Sequence, residues 1–359
     1  MINLKKVGLT ALAGSLAAVT ANAGEISVSG AANVTYVTKS GNNTNSIGTD
    51  KDVKFSGSGE LDNGYTVSFH TTMTDAYTVS SSATVIGMGS MGSIGFGTGG
   101  GTNVAGAYDE TYPRAYEENS DAGGQSAANY VGSWADDNAI VYQWPGMDIA
   151  GISLSGGAEY TLQAGSATAN DGGVIANSNT WGDGYGVGLT ADTNTGLVVG
   201  AYYATRDNKN HSDDYSISDE WNGSVFANFS AGPVTIGYQE AFVDSGLALA
   251  TTAAAKTSAA KTVGTSAGEF EATNMSIAFN VNDSLSLSYA EAEEVYDPQD
   301  GLTATTETAD VTQKSDSLQV AYSMGSMSIK AYTTTITNPN YDEDADDVKK
   351  NEIAIGLAF

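Results

Sequence analysis

The sequence predicts an all-β fold, a sixteen-stranded antiparallel transmembrane β-barrel with short periplasmic turns and long extracellular loops. Three observations lead to this prediction. Apolar residues alternate with small or polar ones along most of the chain, which is the period of a strand with two different faces. Short and long connections between these stretches alternate. Finally, the chain contains 43 glycines, which would weaken helices throughout it.

The first 23 residues have the three parts of a secretory signal peptide. Lys5 and Lys6 provide the positive charge, residues 7–19 are apolar or small, and Ala21-Asn22-Ala23 is a cleavage site. The apolar part is too short to span a membrane. We therefore expect residues 1–23 to be removed after export and residues 24–359 to form one barrel domain.

The composition narrows the possible partners. The chain has no cysteine, so disulfides do not hold it together. It has 42 acidic and 14 basic side chains, two of the basic ones in the signal peptide, which leaves a net charge of about −30 after cleavage. Nucleic acid is excluded as a partner because its recognition needs a basic surface. The charge favours cations near the protein.

The first strand shows the alternation clearly. Ile26, Val28, Val34 and Tyr36 share one face, and small or polar residues take the other face. A water-soluble β-sandwich could show the same pattern with its apolar face turned inward. Similar stretches recur down the chain, among them Tyr65-Val67-Phe69, Ile140-Tyr142-Trp144, Tyr185-Val187-Leu189, Val234-Ile236-Tyr238, Leu285-Leu287-Tyr289 and Ile353-Ile355-Leu357-Phe359.

The connections distinguish a barrel from a sandwich. Seven are tight turns: Asp62-Asn63-Gly64, Ser90-Met91-Gly92, Pro145-Gly146, Asn194-Thr195-Gly196, Ala231-Gly232-Pro233, Asn282-Asp283 and Met324-Gly325-Ser326. Eight are long and polar, near 40–50, 73–82, 99–136, 163–182, 207–219, 244–268, 297–315 and 339–348. Fifteen connections of alternating length join sixteen strands, which is typical of an outer-membrane barrel. Closure of the barrel pairs every backbone group within lipid.

With these features the chain resembles the general bacterial porins over residues 24–359. The signal peptide, the alternating strands, the long third loop and the terminal Phe359 carry the resemblance. The acidic, glycine-rich composition is similar to that of alphaproteobacterial porins.

The resemblance implies a homotrimer in the bacterial outer membrane, surrounded by lipids and lipopolysaccharide. It also implies that the barrel-assembly machinery uses Phe359 as part of an assembly signal. The implied function is a water-filled channel for passive diffusion of small hydrophilic solutes and ions, and we expect weak selectivity for cations. The alternative from the residues alone is a secreted or surface-exposed β protein without a channel, such as an adhesin or a glycan-binding module.

The third loop, residues 99–136, contains the most informative motif. The segment Gly95–Gly100 fits the G-x-G-x-x-G pattern of a dinucleotide site, but that site needs a helix after the glycines. No helical pattern follows here. In porins this loop folds into the pore, so we interpret Gly99, Gly100 and Gly101 as its hinge, where glycine allows a reversal close to the wall.

Acidic residues interleaved with tyrosines follow the hinge. We expect them to form an acidic lip at the pore constriction: Asp109, Glu110, Glu117, Glu118 and Asp121. The alternative is a solvated surface loop, which is the usual setting of a charge run. The length of the loop favours the constriction, because structureless loops of this length are uncommon unless they are functional.

Porins place basic residues on the wall opposite such a lip. Lys54, Arg206 and Lys330 are the candidates, because each is out of phase with its apolar neighbours. A charge that faces lipid near the bilayer centre costs about 2–4 kcal/mol, so we expect all three to face the lumen. The alternative for each is a position near the rim of the barrel.

The sequence gives little support for catalysis or for tight metal binding. The two histidines, His70 and His211, have no partner pattern in the sequence, and no nucleophile elbow is present, so we do not expect an enzyme. We expect no cofactor. The one possible exception is a diffuse calcium site at Asp342, Asp344 and Asp346, which lacks the spacing of an EF-hand loop.

Overall fold

The computed structural model describes residues 26–40, 46–75, 78–98, 102–119, 139–162, 181–211, 217–248, 267–299 and 308–359. The signal peptide, the hinge Gly99–Gly101 and Asp121 lie outside these ranges. The strand segments are β1 Ile26–Lys39, β2 Ile47–Glu60, β3 Thr66–Met73, β4 Val79–Gly87, β5 Ser93–Thr98, β6 Ala139–Gln143, β7 Met147–Ile149, β8 Ile152–Thr161, β9 Trp181–Asp192, β10 Leu197–Asn208, β11 Glu220–Ala231, β12 Val234–Asp244, β13 Glu269–Asn282, β14 Leu285–Asp297, β15 Val311–Met324, β16 Met327–Thr337 and β17 Val348–Ala358.

Among the residues described, no helix is both long enough and apolar enough to cross a membrane.

The strands form one closed antiparallel barrel. Each segment pairs with its neighbours along the chain, and β1 pairs with β17 to close the ring, for example Val34 with Ile355. Both β6 and β7 pair with β8, so they are two parts of one interrupted strand. The barrel therefore has sixteen strands, as the sequence predicts.

One predicted turn is wrong. The chain does not reverse at Pro145-Gly146 but continues through β7 and turns at Ala150-Gly151, where φ is +54° and +85°. Proline has no N–H to donate to the hydrogen-bond ladder, so it is found both in turns and at interruptions of a strand. The sequence alone does not distinguish these two cases. The other six short turns lie where the sequence predicts them.

The apolar face of the sheet points outward. Val28, Leu318 and Ile353 are 62%, 55% and 54% exposed, respectively. The alternate positions point into the barrel and are mainly polar or small. An outward apolar face with a polar interior is the arrangement of a barrel that spans a bilayer. Several tyrosines also lie on this outward face: Tyr160, Tyr185, Tyr203, Tyr238 and Tyr289.

Candidate functional site: the third loop inside the barrel

The described part of the third loop, residues 102–119, begins against β8 and β10. The Val104 N–H donates to Glu159 Oε2 at 2.5 Å, and the Tyr202 hydroxyl donates to the other carboxylate oxygen. Glu159 is 2% exposed, so these two donors replace the water that a carboxylate needs. Glu159 points inward because it is out of phase with the outward Tyr160. The loop therefore starts inside the barrel.

Tyr108 fixes the next part of the loop. Its ring stacks on Tyr202 with 5.5 Å between centroids and lies 6.3 Å from Phe226. Its carbonyl oxygen accepts hydrogen bonds from Ser224 Oγ and Gln239 Nε2, each at 2.7 Å. Because β9 carries glycine at position 188, the ring can lie directly on the wall; a Cβ there would be 2.2 Å from Tyr108 Cε2.

The loop then follows β11 and β12. The Thr111 N–H donates to Gln239 Oε1 at 2.6 Å, and the Thr111 carbonyl accepts from Asn228 Nδ2 at 2.6 Å. Gln239 thus donates to one loop residue and accepts from another, as a neighbouring strand backbone would. Pro113 lies on Gly237, where a Cβ would be 2.2 Å from Pro113 Cδ.

The last described part of the loop reaches β14, β15 and β17. The Ala115 N–H donates to Ser288 Oγ at 2.8 Å. The Tyr116 N–H donates to Gln319 Oε1 at 2.9 Å, and Gln319 Nε2 donates to the Glu117 carbonyl at 2.7 Å. The Tyr116 hydroxyl donates to Glu352 at 2.7 Å. Residues 102–119 therefore line the inner wall from β8 round to β17, and the wall of β1–β4 faces this described part of the loop.

The structure gives the predicted acidic residues different environments. Glu110 is 2% exposed and accepts from the Tyr112 hydroxyl at 2.6 Å. Glu118 forms an ion pair with Arg114, which also donates to the Glu110 carbonyl. Asp109 and Glu117 are half-buried. Glu110 therefore lies within the packed loop rather than on a solvent-facing lip, and Arg114 offsets the charge of Glu118.

Burial also affects the tyrosines of this loop. Tyr112 is buried, and its hydroxyl donates to Glu110 while accepting from the Asn119 N–H at 3.0 Å. Burial first, and then the Glu110 carboxylate, raise the pKa of Tyr112 well above its usual range. Burial and the hydrogen bond to Glu352 likewise raise the pKa of Tyr116. Both hydroxyls act as hydrogen-bond donors that hold the loop.

The structure does not gather the three predicted basic residues into one cluster. Lys54 lies on the inward face of β2, beside His70. Arg206 is on β10, across the barrel, where its Nε donates to Glu220 at 2.9 Å and its guanidinium lies 3.7 Å from the Trp181 ring centroid. Lys330, on β16, lies 5.0 Å from the Tyr116 ring centroid. Of the three, Arg206 has its charge offset by a buried partner.

Other inward charges escaped the sequence analysis. Lys39 and Lys350 are paired across β1 and β17, and Lys350 lies 5.6 Å from the Tyr332 ring centroid. Asp50 and Asp52 point inward on β2, out of phase with Val53. Strand alternation could have identified all four. Nothing in the sequence indicates that Glu159, Gln239 and Gln319 hold the loop, because these contacts join distant parts of the chain.

The proposed calcium ligands lie in the loop after β16. The Asp344 N–H donates to Asp342 Oδ1 at 3.0 Å, which is a local turn contact. Asp346 is exposed in the same loop. Within the described ranges, no group of three or more histidine, aspartate or glutamate side chains is arranged to hold a metal ion.

The terminal Phe359 lies at the short-turn end of the barrel, where β17 meets β1. Its N–H donates to the Gly30 carbonyl at 3.0 Å, and the Gly30 N–H donates to the Phe359 carbonyl at 2.7 Å. The ring lies over Gly30, where a Cβ would be 2.6 Å from Phe359 Cε2. The last residue therefore continues the pairing that closes the barrel.

Comparisons with known proteins agree with this architecture. The family model for Gram-negative porins matches residues 8–359. No curated protein sequence gives a significant match. The structure is similar to Salmonella typhi OmpF in complex with daunomycin, with a TM-score of 0.64, 14% identity, and coverage of 93% of this chain and 97% of that one.

Two further solved structures show the same fold. A porin refined at 1.8 Å resolution has a TM-score of 0.61, 16% identity, and coverage of 93% of this chain and 100% of its own. A trimer form of the Vibrio cholerae outer membrane protein OmpT has a TM-score of 0.57, 13% identity, and coverage of 94% and 99%. At these identities the structural likeness establishes the fold alone.

Proposed function

The chain belongs to the Gram-negative porin family, and from this premise we propose that it allows passive diffusion of small hydrophilic solutes and ions through a water-filled pore. Family and fold together identify an outer-membrane β-barrel channel rather than an enzyme. They do not favour the alternative of a secreted β protein without a channel. The acidic, glycine-rich composition supports placement with the alphaproteobacterial type.

The position of the third loop supports the proposal most directly. Residues 102–119 are hydrogen-bonded to inward side chains of β8, β11, β12, β14, β15 and β17. The described part of the loop, residues 102–119, lies inside the lumen against one side of its wall. On the opposite side, Lys54, Ser56, Ser68 and His70 line an open groove along the inner wall. A largely polar wall facing a fixed loop suits hydrated solutes.

We propose weak cation selectivity from the charges that face this passage. Four acidic groups, Asp50 and Asp52 on β2 and Asp109 and Glu117 on the loop, are set against four inward lysines, Lys39, Lys54, Lys330 and Lys350, and the excess of acidic over basic side chains in the whole chain (42 against 14) tips this balance weakly towards cations. Arg206 contributes little to the field because Glu220 offsets its charge. Acidic groups in a pore favour cations, and low-dielectric walls focus their field.

We further propose that the channel is a homotrimer that associates through the outer face of β1–β5. In these five strands no outward position carries a carboxylate, whereas β12–β15 carry Glu240, Glu271, Glu291, Glu293 and Asp316. This face carries one base, Lys51, which is paired with Asp75, and with the small residues Gly30 and Ala32 it suits contact with another copy. The remaining outer face would contact lipids and lipopolysaccharide, and assembly would use the barrel-assembly machinery. The trimer form of Vibrio cholerae OmpT supports the proposal of a homotrimer.

Conductance in planar lipid bilayers tests the proposal. Purified protein should insert to give stepwise, ohmic currents, with closures in three equal steps if each protomer conducts. Gel mobility that changes on heating confirms that the barrel is folded before the measurement. Folded protein that extracts with detergent yet gives no current would overturn the channel proposal, and single-step closure would overturn the trimer.

A further inference from the structure

The groove on the inner wall of β1–β4 differs in charge from the rest of the chain. Its volume is about 460 Å³, and the residues described along it comprise one lysine, one histidine, four serines, four apolar or glycine residues and no carboxylate. The whole chain, in contrast, has 42 acidic and 14 basic side chains. A cavity of this size is large enough for a small solute.

Lys54 and His70 approach each other across β2 and β3. In the strand register Lys54 is opposite Thr72. Two residues further along the ladder Ser56 is opposite His70, so Lys54 and His70 are diagonal neighbours on the inward face. Diagonal neighbours lie about 7–8 Å apart, a distance that long side chains can reach across. A ligand between the two side chains can therefore contact both of them.

Serine hydroxyls lie beside these two basic groups. Ser56 is opposite His70 on one side and opposite Ser27 of β1 on the other. The Ser27 and Ser56 hydroxyl oxygens are 2.9 Å apart, so one donates to the other and one hydroxyl hydrogen remains for a ligand. Ser58 and Ser68 are opposite each other in the next row. The groove thus offers ammonium, imidazole and hydroxyl donors together.

The other charged groups on the inward face of β2 lie outside the groove lining. Asp50 and Asp52 precede Lys54 towards the long-loop end of the strand, and Glu60 follows it towards the short turn. Among the residues that the structure describes, none forms an ion pair with Lys54, and Lys54 is the charged group that acts on the His70 ring. The neighbouring strands β1 and β4 contribute only uncharged lining residues: Ser27, Ala83 and Val85.

We propose that this groove binds a small dianionic oxyanion, held between Lys54 and a protonated His70 and by the serine hydroxyls. Oxyanions such as sulfate and phosphate present several acceptor oxygens, which match the several donors of the groove. Lys54 repels a cation, and the lining has no described carboxylate to offset that repulsion. The charge of a histidine ordinarily changes between about pH 5 and 8, so binding should strengthen as the pH falls through this range.

The groove deepens the proposed function by naming a class of solute. It gives the lumen a local preference for small sulfate- or phosphate-bearing solutes, which opposes the excess of acidic side chains elsewhere in the chain. The effect on ion currents rests on the proposed channel function, whereas binding to the folded barrel does not.

Imidazole NMR signals of the folded, detergent-solubilised full chain test the site. Sulfate is the probe because it remains a dianion in this pH range, whereas phosphate esters change charge at about pH 6. The chain has two histidines, His70 in the groove and His211 in the loop after β10. At about pH 5.5 sulfate should perturb the His70 signal and leave that of His211 unchanged. At about pH 8 its affinity should be about tenfold weaker, because the imidazole charge is lost.

Matched variants separate the groove from the lumen as a whole. His70→Gln keeps a polar side chain without a titrating charge, so sulfate binding should be weak at both pH values; His211→Gln is its control. Lys54→Met should weaken binding about tenfold at either pH. Lys39→Met removes the same charge from the inward face of β1 and should leave sulfate affinity unchanged. Gel mobility that changes on heating confirms that each variant is folded.

Sulfate that leaves the His70 signal unchanged, or equal affinity at both pH values in the wild type, would overturn the proposal. An equal response to glucose would also overturn it, because the groove would then bind hydroxylated solutes regardless of charge. In planar bilayers, acidification in sulfate should shift the reversal potential towards anions, and less so in His70→Gln. Sulfate binding without any current would refute the channel and leave the site, whereas current without sulfate binding would do the converse.

Discussion

At the residue scale, glutamine and asparagine side chains hold the third loop in place of a backbone. Gln239 and Gln319 each accept from a loop N–H and donate to a loop carbonyl, so an irregular segment has its polar groups satisfied against the wall. Glycines opposite Tyr108 and Pro113 allow the close approach that these bonds need. The position of the loop therefore depends on single side chains of the barrel.

Gly237→Ala should move the loop. Its Cβ would be 2.2 Å from Pro113 Cδ, an atom of a rigid ring next to the backbone, so the loop must shift. We expect altered single-channel conductance with a normally folded barrel. Gly48→Ala is the matched control, because there the Cβ meets only the Thr35 hydroxyl, which can rotate away. Equal conductance in wild type and Gly237→Ala would contradict the prediction.

The loop should also loosen at high pH. Burial and Glu110 raise the pKa of Tyr112, so the folded state favours its neutral form. The stabilisation is fully present below the ordinary tyrosine pKa of about 10 and is lost as the pH rises through the higher folded value. Ultraviolet titration of the folded protein should therefore show tyrosines that remain neutral above pH 10, one fewer in Tyr112→Phe. Titration of all 19 tyrosines near pH 10 would count against this environment.

Alternation predicted which way side chains point, but not what they contact. The inward phase of Lys54, Arg206 and Lys330 follows from a period of two. The pairing of Arg206 with Glu220 does not, because both lie on inward faces that carry several other polar groups. The burial of Glu110 was also beyond prediction, since it depends on a wall whose residues are distant in sequence.

At the element scale, the strands follow from local pattern and the loops from long-range contact. Sixteen strands and six of the seven short turns could be predicted, because the alternating residues and the turn residues of each hairpin are close together in the sequence. The turn at Pro145 failed because a proline inside a strand and a proline in a turn look alike in sequence. The path of the third loop could be expected only by resemblance.

Glu159 should act as the first anchor of the third loop. Glu159→Ala leaves the Val104 N–H and the Tyr202 hydroxyl without their acceptor, each at a cost of about 1–3 kcal/mol. We expect noisier or larger single-channel currents from a barrel that still folds. Glu240→Ala removes a glutamate that also accepts from a tyrosine, but on the outer face, and should not change the current. Identical traces for the two variants would show that Glu159 does not hold the loop.

Phe359 belongs to the closing strand pair, and we expect it to matter for assembly rather than conduction. Phe359→Ala keeps the backbone bonds to Gly30 and removes only the ring. The amount of protein in the outer-membrane fraction should fall, while the channels that do insert conduct normally. Wild-type levels of inserted protein would refute the role in assembly.

At the scale of the whole molecule, charge is the dominant property. The chain carries a formal charge of −28, yet several of its acidic groups do not act freely on the lumen. Glu220 and Glu118 are paired with Arg206 and Arg114, and Glu240 lies on the outer face. Net charge alone therefore overstates the field in the pore, and selectivity should be modest.

Acidic groups inside the barrel should set that selectivity. Asp50 and Asp52 point into the lumen, and Asp109 and Glu117 are half-buried on the third loop, so under the proposed selectivity neutralising all four as Asn or Gln should move the reversal potential in a salt gradient towards zero. The preference should be stronger at 0.01 M salt, where the Debye length is about 30 Å, than at 1 M, where it is about 3 Å. Neutralising Asp342, Asp344 and Asp346 at the loop after β16 is the control for charge at the mouth. If that control abolishes cation preference and the four inner changes leave it intact, the long outer loops rather than the passage select the ions.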